Sequence, residues 1–107
     1  MTFDEKTINT EFKPHVPQEA CWEFCRTVRE GLPEKPYLGM KRIPQPQIMC
    51  VVMFRIGVEW HSGIVWPDGL HFIHAKPEKD GTFIIRKERM TLRPWNKLVE
   101  GYYVPLA

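Results

Sequence analysis

The sequence predicts an α+β domain in which one N-terminal helix packs on a small antiparallel sheet or partial barrel. Apolar residues recur at helical spacing between residues 17 and 31, and runs of β-branched and aromatic residues follow from residue 48, separated by short turns. The chain has 107 residues, 43% of them apolar, which is enough for one hydrophobic core and too little for two. Residues 1–107 are therefore expected to form a single domain.

The helix is predicted to run from Pro17 to Gly31. Residues 1–16, which precede it, show no clear period, so we expect an irregular or partly extended arm that serves as a lid or a tether. Pro17 suits the first helical position and Glu19 the first turn, while Gly31 and Pro33 stop the helix. The apolar positions at helical spacing are Cys21, Phe24, Cys25, Val28 and Leu32. This pattern indicates an amphipathic helix with Cys21 near its start.

The sheet is predicted from the second half of the chain. Four prolines between residues 33 and 46 predict a surface loop, because proline interrupts both helices and central strands. Strands are then expected over residues 48–56, 58–66, 70–76 and 82–86, as an antiparallel meander. A charged stretch from Arg86 to Arg93 is followed by Tyr102–Val104, which is expected to close the sheet as a last strand.

The turn between the second and third of these strands decides which histidines share a face. If residues 68–69 form a two-residue loop, the numbers of facing residues sum to 137. His61 and His74 then lie on one face as a diagonal pair, about 7 Å apart at Cβ, with Gly63 leaving space between them. His71 points to the opposite face. A three-residue loop without a bulge would shift the register by one residue and reverse this choice.

Cys21, His61 and His74 are candidates for a nucleophilic hydrolase site. Such a site needs a thiolate, a base that also protonates the leaving amine, and a third group that orients the base, and we assign these roles to the three residues in that order. The positive end of the helix macrodipole favours a thiolate near a helix start, and free backbone N–H groups there can supply part of an oxyanion hole. Cys25 is expected to be core packing or a neighbour of the site, and Cys50 a buried strand residue.

Composition excludes several classes of function. A net charge of +2, with acidic and basic residues interspersed, supplies no basic stripe, so no nucleic-acid partner is expected. No run approaches the roughly 20 apolar residues of a membrane span. The first residues lack the basic and apolar regions of a signal peptide, so we expect a protein made in the cytoplasm without one. Three cysteines without a paired spacing predict free thiols.

Several segments resemble a known family. The segment Cys21–Glu30, followed by His61–Val65 and Phe72–Ala75, resembles the NlpC-type family of papain-like cysteine endopeptidases, and the order Cys, His, His is that of its unpermuted members. The segment Trp95–Tyr103 is most similar to the short versions found in tailed-phage tail-tip and tail-assembly proteins. The similarity covers residues 17–105. It implies a papain-like fold and a Cys-His-His catalytic triad.

The resemblance also implies an activity and a place of action. Members of the family hydrolyse amide bonds in peptidoglycan stem peptides, with no metal or organic cofactor. In a phage, the resemblance implies local opening of the cell wall during genome entry, a location in the virion tail, and contacts with tail or envelope proteins.

Two alternatives to a peptidase remain open. Ala20 stands where cell-wall members usually carry Asp, no tyrosine precedes Tyr37, and residues 46–50 replace the usual Gly-Asp before the first strand. These differences favour a catalytically inactive binding or assembly module of the same fold. The other alternative is a zinc site, since Cys21 and the two histidines are acceptable ligands by type, although no close pair such as Cys-x-x-Cys supports it.

Overall fold

The computed structural model describes residues 3–106, which form an α+β domain with one seven-stranded antiparallel sheet. The strands are β1 (Glu11–Phe12), β2 (Met40–Ile43), β3 (Val51–Ile56), β4 (Glu59–Val65), β5 (His71–Pro77), β6 (Phe83–Arg89) and β7 (Val99–Pro105). The helices are α1 (Ala20–Val28) and the single turn α2 (Trp95–Leu98). The order across the sheet is β1-β6-β5-β4-β3-β7-β2. The predicted α+β class, with a helix on an antiparallel sheet, is confirmed.

The N-terminal arm is part of the domain. A short 3₁₀ turn at Glu5–Thr7 leads into β1, which pairs with β6 at the edge of the sheet. Phe3, Ile8 and Phe12 pack against the core under α1. Over residues 3–12 the arm is therefore held against the sheet and is not a loose tether, and residues 1 and 2 lie outside the described residues.

Helix α1 follows a 3₁₀ turn at Pro17–Glu19 and ends at Val28, three residues before the predicted Gly31. Its buried residues are Ala20, Trp22, Phe24, Cys25 and Val28. Trp22 can be buried because its indole N–H donates to the carbonyl groups of Pro33 and Glu34, so the polar edge of the ring is satisfied. Cys21 stays half-buried at the margin of the packed face. No helix among residues 3–106 has the length and apolar character that crossing a bilayer requires.

The meander β3-β4-β5-β6 is confirmed. The sheet differs from the predicted one on the β3 side, where β7 and β2 lie. The proline-rich loop contains β2, which pairs with β7 at the edge of the sheet, because the prolines flank residues 40–43 without interrupting them. Strand β7 does not close the sheet. It lies between β3 and β2, with a register irregularity between Met53 and Phe54.

Both faces of the central strands are covered. Helix α1 packs on the face that carries Val51, Ile64, Ile73, Ala75 and Ile85. The opposite face carries Val52, Phe54, Val65 and Phe72, and Trp95 and Leu98 of α2 pack against it. This two-sided burial explains why five consecutive residues of β4, from His61 to Val65, are buried although strand neighbours point to opposite faces.

Candidate active site

His61 on β4 and His74 on β5, the two histidines predicted to share a face, are in contact. Nε2 of His61 lies 2.5 Å from Nδ1 of His74, and the ring centroids are 4.7 Å apart. Both rings are withdrawn from solvent, with 9% of His61 and none of His74 exposed. The hydrogen bond therefore joins two buried imidazoles, whose remaining ring nitrogens decide what the pair can do.

The turn between β4 and β5 keeps the predicted register with a longer loop. The ladder pairs are Ile64 with Ile73 and Val65 with Phe72, whose numbers sum to the predicted 137. The loop, however, consists of residues 67–70, because the Trp66 N–H bonds to the carbonyl of His71. The Asp68 carboxylate accepts from the His71 N–H and contacts Nδ1 of its ring, 2.6 Å away. His71 is thereby held in the turn, apart from the His61–His74 pair.

Glu88 on β6 extends the pair into a chain of three residues. Its carboxylate is bonded to Nε2 of His74, the nitrogen that His61 does not use. The β5–β6 register explains the contact: His74 faces Arg86, so Glu88 is its diagonal neighbour on the same face. His74 is thus held at both ring nitrogens, by His61 on one side and by a carboxylate on the other.

Trp95 of α2 covers this chain. Its ring stacks on His61 at a centroid distance of 6.0 Å and meets the edge of His74 at 5.1 Å. Phe54 and Phe72 complete the aromatic cluster around the two histidines, with ring centroids 5.1 and 5.0 Å from that of Trp95. The aromatic cover excludes water from both imidazoles except at the margin where His61 retains some exposure.

Burial controls the protonation of the two histidines. Burial, reinforced by the neighbouring His74, lowers the pKa of His61 from 6.5 to about 3. Burial also lowers the pKa of His74, although the hydrogen bond to Glu88 opposes this. The same hydrogen bond lowers the pKa of Glu88, which favours the carboxylate. At neutral pH the hydrogen-bonded series His61–His74–Glu88 therefore consists of two neutral imidazoles and one carboxylate.

Gly63 lies two residues after His61 and allows the aromatic cover to form. A Cβ atom at this position would lie 2.7 Å from Cδ2 of Phe72 and 2.9 Å from the carbonyl oxygen of Ile73. The space that the absent side chain leaves is therefore occupied by the Phe72 ring, which packs on His74 at a centroid distance of 4.7 Å. The absence of a side chain at Gly63 therefore makes room for the Phe72 ring beside the histidines.

Cys21 and His61 line one open cleft of about 470 Å³. Its walls include Ala20 and Cys21 of α1, Trp60 and His61 of β4, and Ala75 and Pro77 of β5. The cleft lies where β4 and β5 separate: beyond the Ile64–Ile73 pair towards His61, no ladder pair joins the two strands. Nδ1 of His61 has no hydrogen-bond partner in residues 3–106, where no fully buried side-chain nitrogen lacks one, so this atom retains some contact with solvent.

Helix α1, which carries Cys21, and the rings of His61 and His74 lie on opposite faces of the sheet. Helix α1 packs on the Ser62 face, where the Cys25 thiol lies 3.5 Å from the Ser62 hydroxyl. His61, the neighbour of Ser62 on the strand, projects from the other face. Cys21 makes no hydrogen bond to His61 within the described part of the chain. Cys21 and His61 nevertheless line one cleft, at the opening where β4 and β5 separate.

The three cysteines differ in accessibility. All are free, and Cys21 is half-buried at the cleft, whereas Cys25 and Cys50 are fully buried. Burial raises the pKa of the Cys25 thiol, and to a lesser extent that of Cys50, so neither forms a thiolate readily. Within residues 3–106 no group of three or more His, Cys, Asp or Glu side chains is placed to hold a metal ion.

Sequence reasoning missed Glu88 and the role of Trp95. Glu88 falls in the charged stretch that was not included in a strand, yet β6 continues to Arg89. The alternation of side chains along that strand was the available signal, since extending the β5–β6 hairpin by three residues brings Glu88 to the His74 face. No local signal marks Trp95, because its position depends on how the chain returns across the sheet.

No family model matches the sequence, and no curated protein matches it.

Proposed function

We propose that this protein is a papain-like cysteine amidase or endopeptidase that hydrolyses amide bonds of peptidoglycan stem peptides, with Cys21 as nucleophile, His61 as base and His74 as its orienting partner. The observation that supports it is the chain of buried hydrogen bonds through His61 and His74, which leaves Nδ1 of His61 open beside the cleft that Cys21 lines. A base whose second nitrogen is held, and an accessible thiol in the same cleft, are the parts that thiol acyl transfer requires.

The reaction begins with transfer of the Cys21 proton to His61. Because burial lowers the pKa of His61, the resting pair is a thiol and a neutral imidazole, and the proton moves as Sγ forms its bond to the substrate carbonyl carbon. The tetrahedral oxyanion lies next to the start of α1, where the helix dipole is positive. The C–N bond then breaks, and the amine leaves with the proton from His61. Water, deprotonated by His61, hydrolyses the thioester and restores the thiol.

The cleft also supports a substrate that carries an ammonium group. Glu59 is the only Asp, Glu, Lys or Arg among the described residues that line it. A carboxylate on the wall attracts a positively charged substrate group, and the nearby cation Arg55 lies over the Trp60 ring at 5.4 Å. Stem peptides contain a diamino acid whose amine is cationic, so they fit this wall. The exposed Trp60 ring beside Glu59 adds an apolar surface on which a peptide can lie.

The resemblance to short phage tail proteins supports the place of action. We propose a location in a virion tail, with tail or envelope proteins as partners and cell-wall opening during genome entry as the role. Detection of the chain in purified virions by mass spectrometry tests this location, and its absence from them would contradict it.

The activity is tested with purified peptidoglycan and release of soluble peptides. Cys21→Ala is expected to reduce release to background while the circular dichroism spectrum is unchanged. Cys25→Ala is the matched control, because Cys25 lies one turn further along the same helix and does not line the cleft. His61→Ala is expected to abolish release as well, whereas His15→Ala, which removes a 93% exposed ring that does not line the cleft, is expected to retain it.

Two results would contradict the proposal. Undiminished release by Cys21→Ala would show that this thiol is not the nucleophile. A folded wild-type protein that releases nothing but still binds tail or envelope proteins would instead favour the inactive binding or assembly module.

A further inference from the structure

We infer that Glu88 is a positioning residue that sets the tautomers of both histidines through His74, so that His61 presents an unprotonated Nδ1 to the cleft. The catalytic consequence of this inference rests on the proposed function, whereas the tautomers themselves do not. The argument follows the hydrogen bonds from the carboxylate outward.

A carboxylate can only accept hydrogen bonds. Glu88 is bonded to Nε2 of His74, so that nitrogen must carry the proton. A neutral imidazole has one N–H, and Nδ1 of His74 is therefore an acceptor. His61 must donate to it from Nε2, which leaves Nδ1 of His61 with a free lone pair. The direction of every bond in the chain is thus decided by the one group that cannot donate.

The surroundings keep this pattern in place. His74 is fully buried, so it has no water to exchange partners with, and the Glu88 side chain is only 26% exposed. The charged groups that act on His74 from neighbouring strand positions are Glu88, Lys76 and Arg86. Both cations disfavour a proton on His74, and Lys76 also favours the ionised form of Glu88, so the surroundings favour a neutral ring beside a carboxylate. The carboxylate also stabilises the positive charge that His61 gains during the reaction, relayed through His74.

The same rule gives an internal reference within the protein. The Asp68 carboxylate contacts Nδ1 of His71, so the neutral His71 ring is expected to carry its proton there. The protein therefore contains carboxylate-bonded histidines of both kinds, with His74 bonded at Nε2 and both His71 and His15 bonded at Nδ1. A measurement that separates the two forms needs no external standard.

The test is ¹⁵N NMR of the histidine rings in the labelled wild-type protein, above the ordinary histidine pKa of about 6.5. His61 and His74 are both expected in the Nε2–H form. A proton on Nδ1 of His61 in the wild type would overturn the inference, whatever the protein cleaves. This arm needs no variant and does not depend on the activity.

Glu88→Gln provides the second arm. An amide of the same shape can either accept from His74 or donate to it, so the chain can run in both directions. If both directions are equally populated, about half of His61 acquires Nδ1–H, and the rate of Cys21 alkylation by iodoacetamide is expected to fall about twofold or more. Asp68→Asn is the matched control, because it neutralises a carboxylate–histidine contact outside the site and should leave the His61 and His74 signals unchanged.

The outcomes separate this inference from the proposed function. Unchanged His61 and His74 tautomers and an unchanged alkylation rate in Glu88→Gln would overturn the role of Glu88. Correct tautomers in a protein with no Cys21-dependent cleavage would instead leave the positioning role intact and contradict the peptidase.

Discussion

Lowering the pH should destabilise this protein because it buries a neutral histidine. His61 has a pKa of 6.5 in an ordinary environment and about 3 in the fold. Between these values the unfolded chain binds a proton that the folded chain does not. The free energy of unfolding therefore rises with pH in this window, so the stabilisation is fully present above pH 6.5 and is lost as the pH falls towards 3.

The size of the effect follows from the two pKa values. At pH 4.5 protonation of His61 in the unfolded state raises the unfolding equilibrium constant by a factor of about 100, while the folded state binds almost no proton at this site. This factor corresponds to about 2.7 kcal/mol, and about 0.2 kcal/mol of it is already present at pH 7. His61 alone should therefore cost the protein about 2.5 kcal/mol on going from pH 7 to pH 4.5, a large part of the 5–15 kcal/mol typical of a domain.

The assay is urea unfolding followed by tryptophan fluorescence at the two pH values, for the wild type and for His61→Gln. Glutamine keeps polar character at the position but does not titrate. Acid-sensitive groups away from this site, such as Asp68, act in both proteins and cancel in the difference. The wild type should lose about 2.5 kcal/mol more than the variant. Equal losses, within about 0.5 kcal/mol, would refute the argument that His61 is buried in its neutral form.

Two further predictions concern packing and recognition. Gly63→Ala should destabilise the fold by about 1–3 kcal/mol, since its Cβ would press on Phe72 and on a backbone oxygen that cannot move away; Val58→Ala, at a position 91% exposed, is the control and should change unfolding by less than about 0.5 kcal/mol. Glu59→Gln should lower kcat/KM about two- to fivefold for a stem peptide with a free amine and leave the acetylated peptide unaffected; equal losses for both peptides would show that Glu59 does not read the charge.

The elements that sequence reasoning predicted well are those with a local signal. The meander from β3 to β6 was predicted because β-branched runs and Gly-containing turns alternate at short range. Helix α1 was predicted from its apolar spacing, and its early end at Val28 is a boundary difference. The register that brings His61 to His74 was also predicted, although through a shorter turn than the one that forms.

The β4–β5 turn shows how a prediction can be right in register and wrong in detail. A two-residue loop and the four-residue loop at 67–70 leave the same residues facing each other, because the longer loop takes one residue from the end of each strand. Parity of the loop length decides the face, and the hydrogen bonds that the Asp68 carboxylate accepts from Leu70 and His71 decide the length of the loop. The sequence carried the first of these and was ambiguous on the second.

By itself, the sequence determined the α+β class, the helix with Cys21 near its start, and the facing of His61 and His74, because these follow from periodicities of the chain and from one short turn. Only the tertiary structure decided that Glu88 ends the hydrogen-bond chain, that Trp95 covers it, and that Cys21 and His61 line one cleft where two strands separate. These contacts depend on how separate elements pack and where two strands part. Such long-range geometry leaves no local pattern, because each residue satisfies its own element whether or not the contact forms.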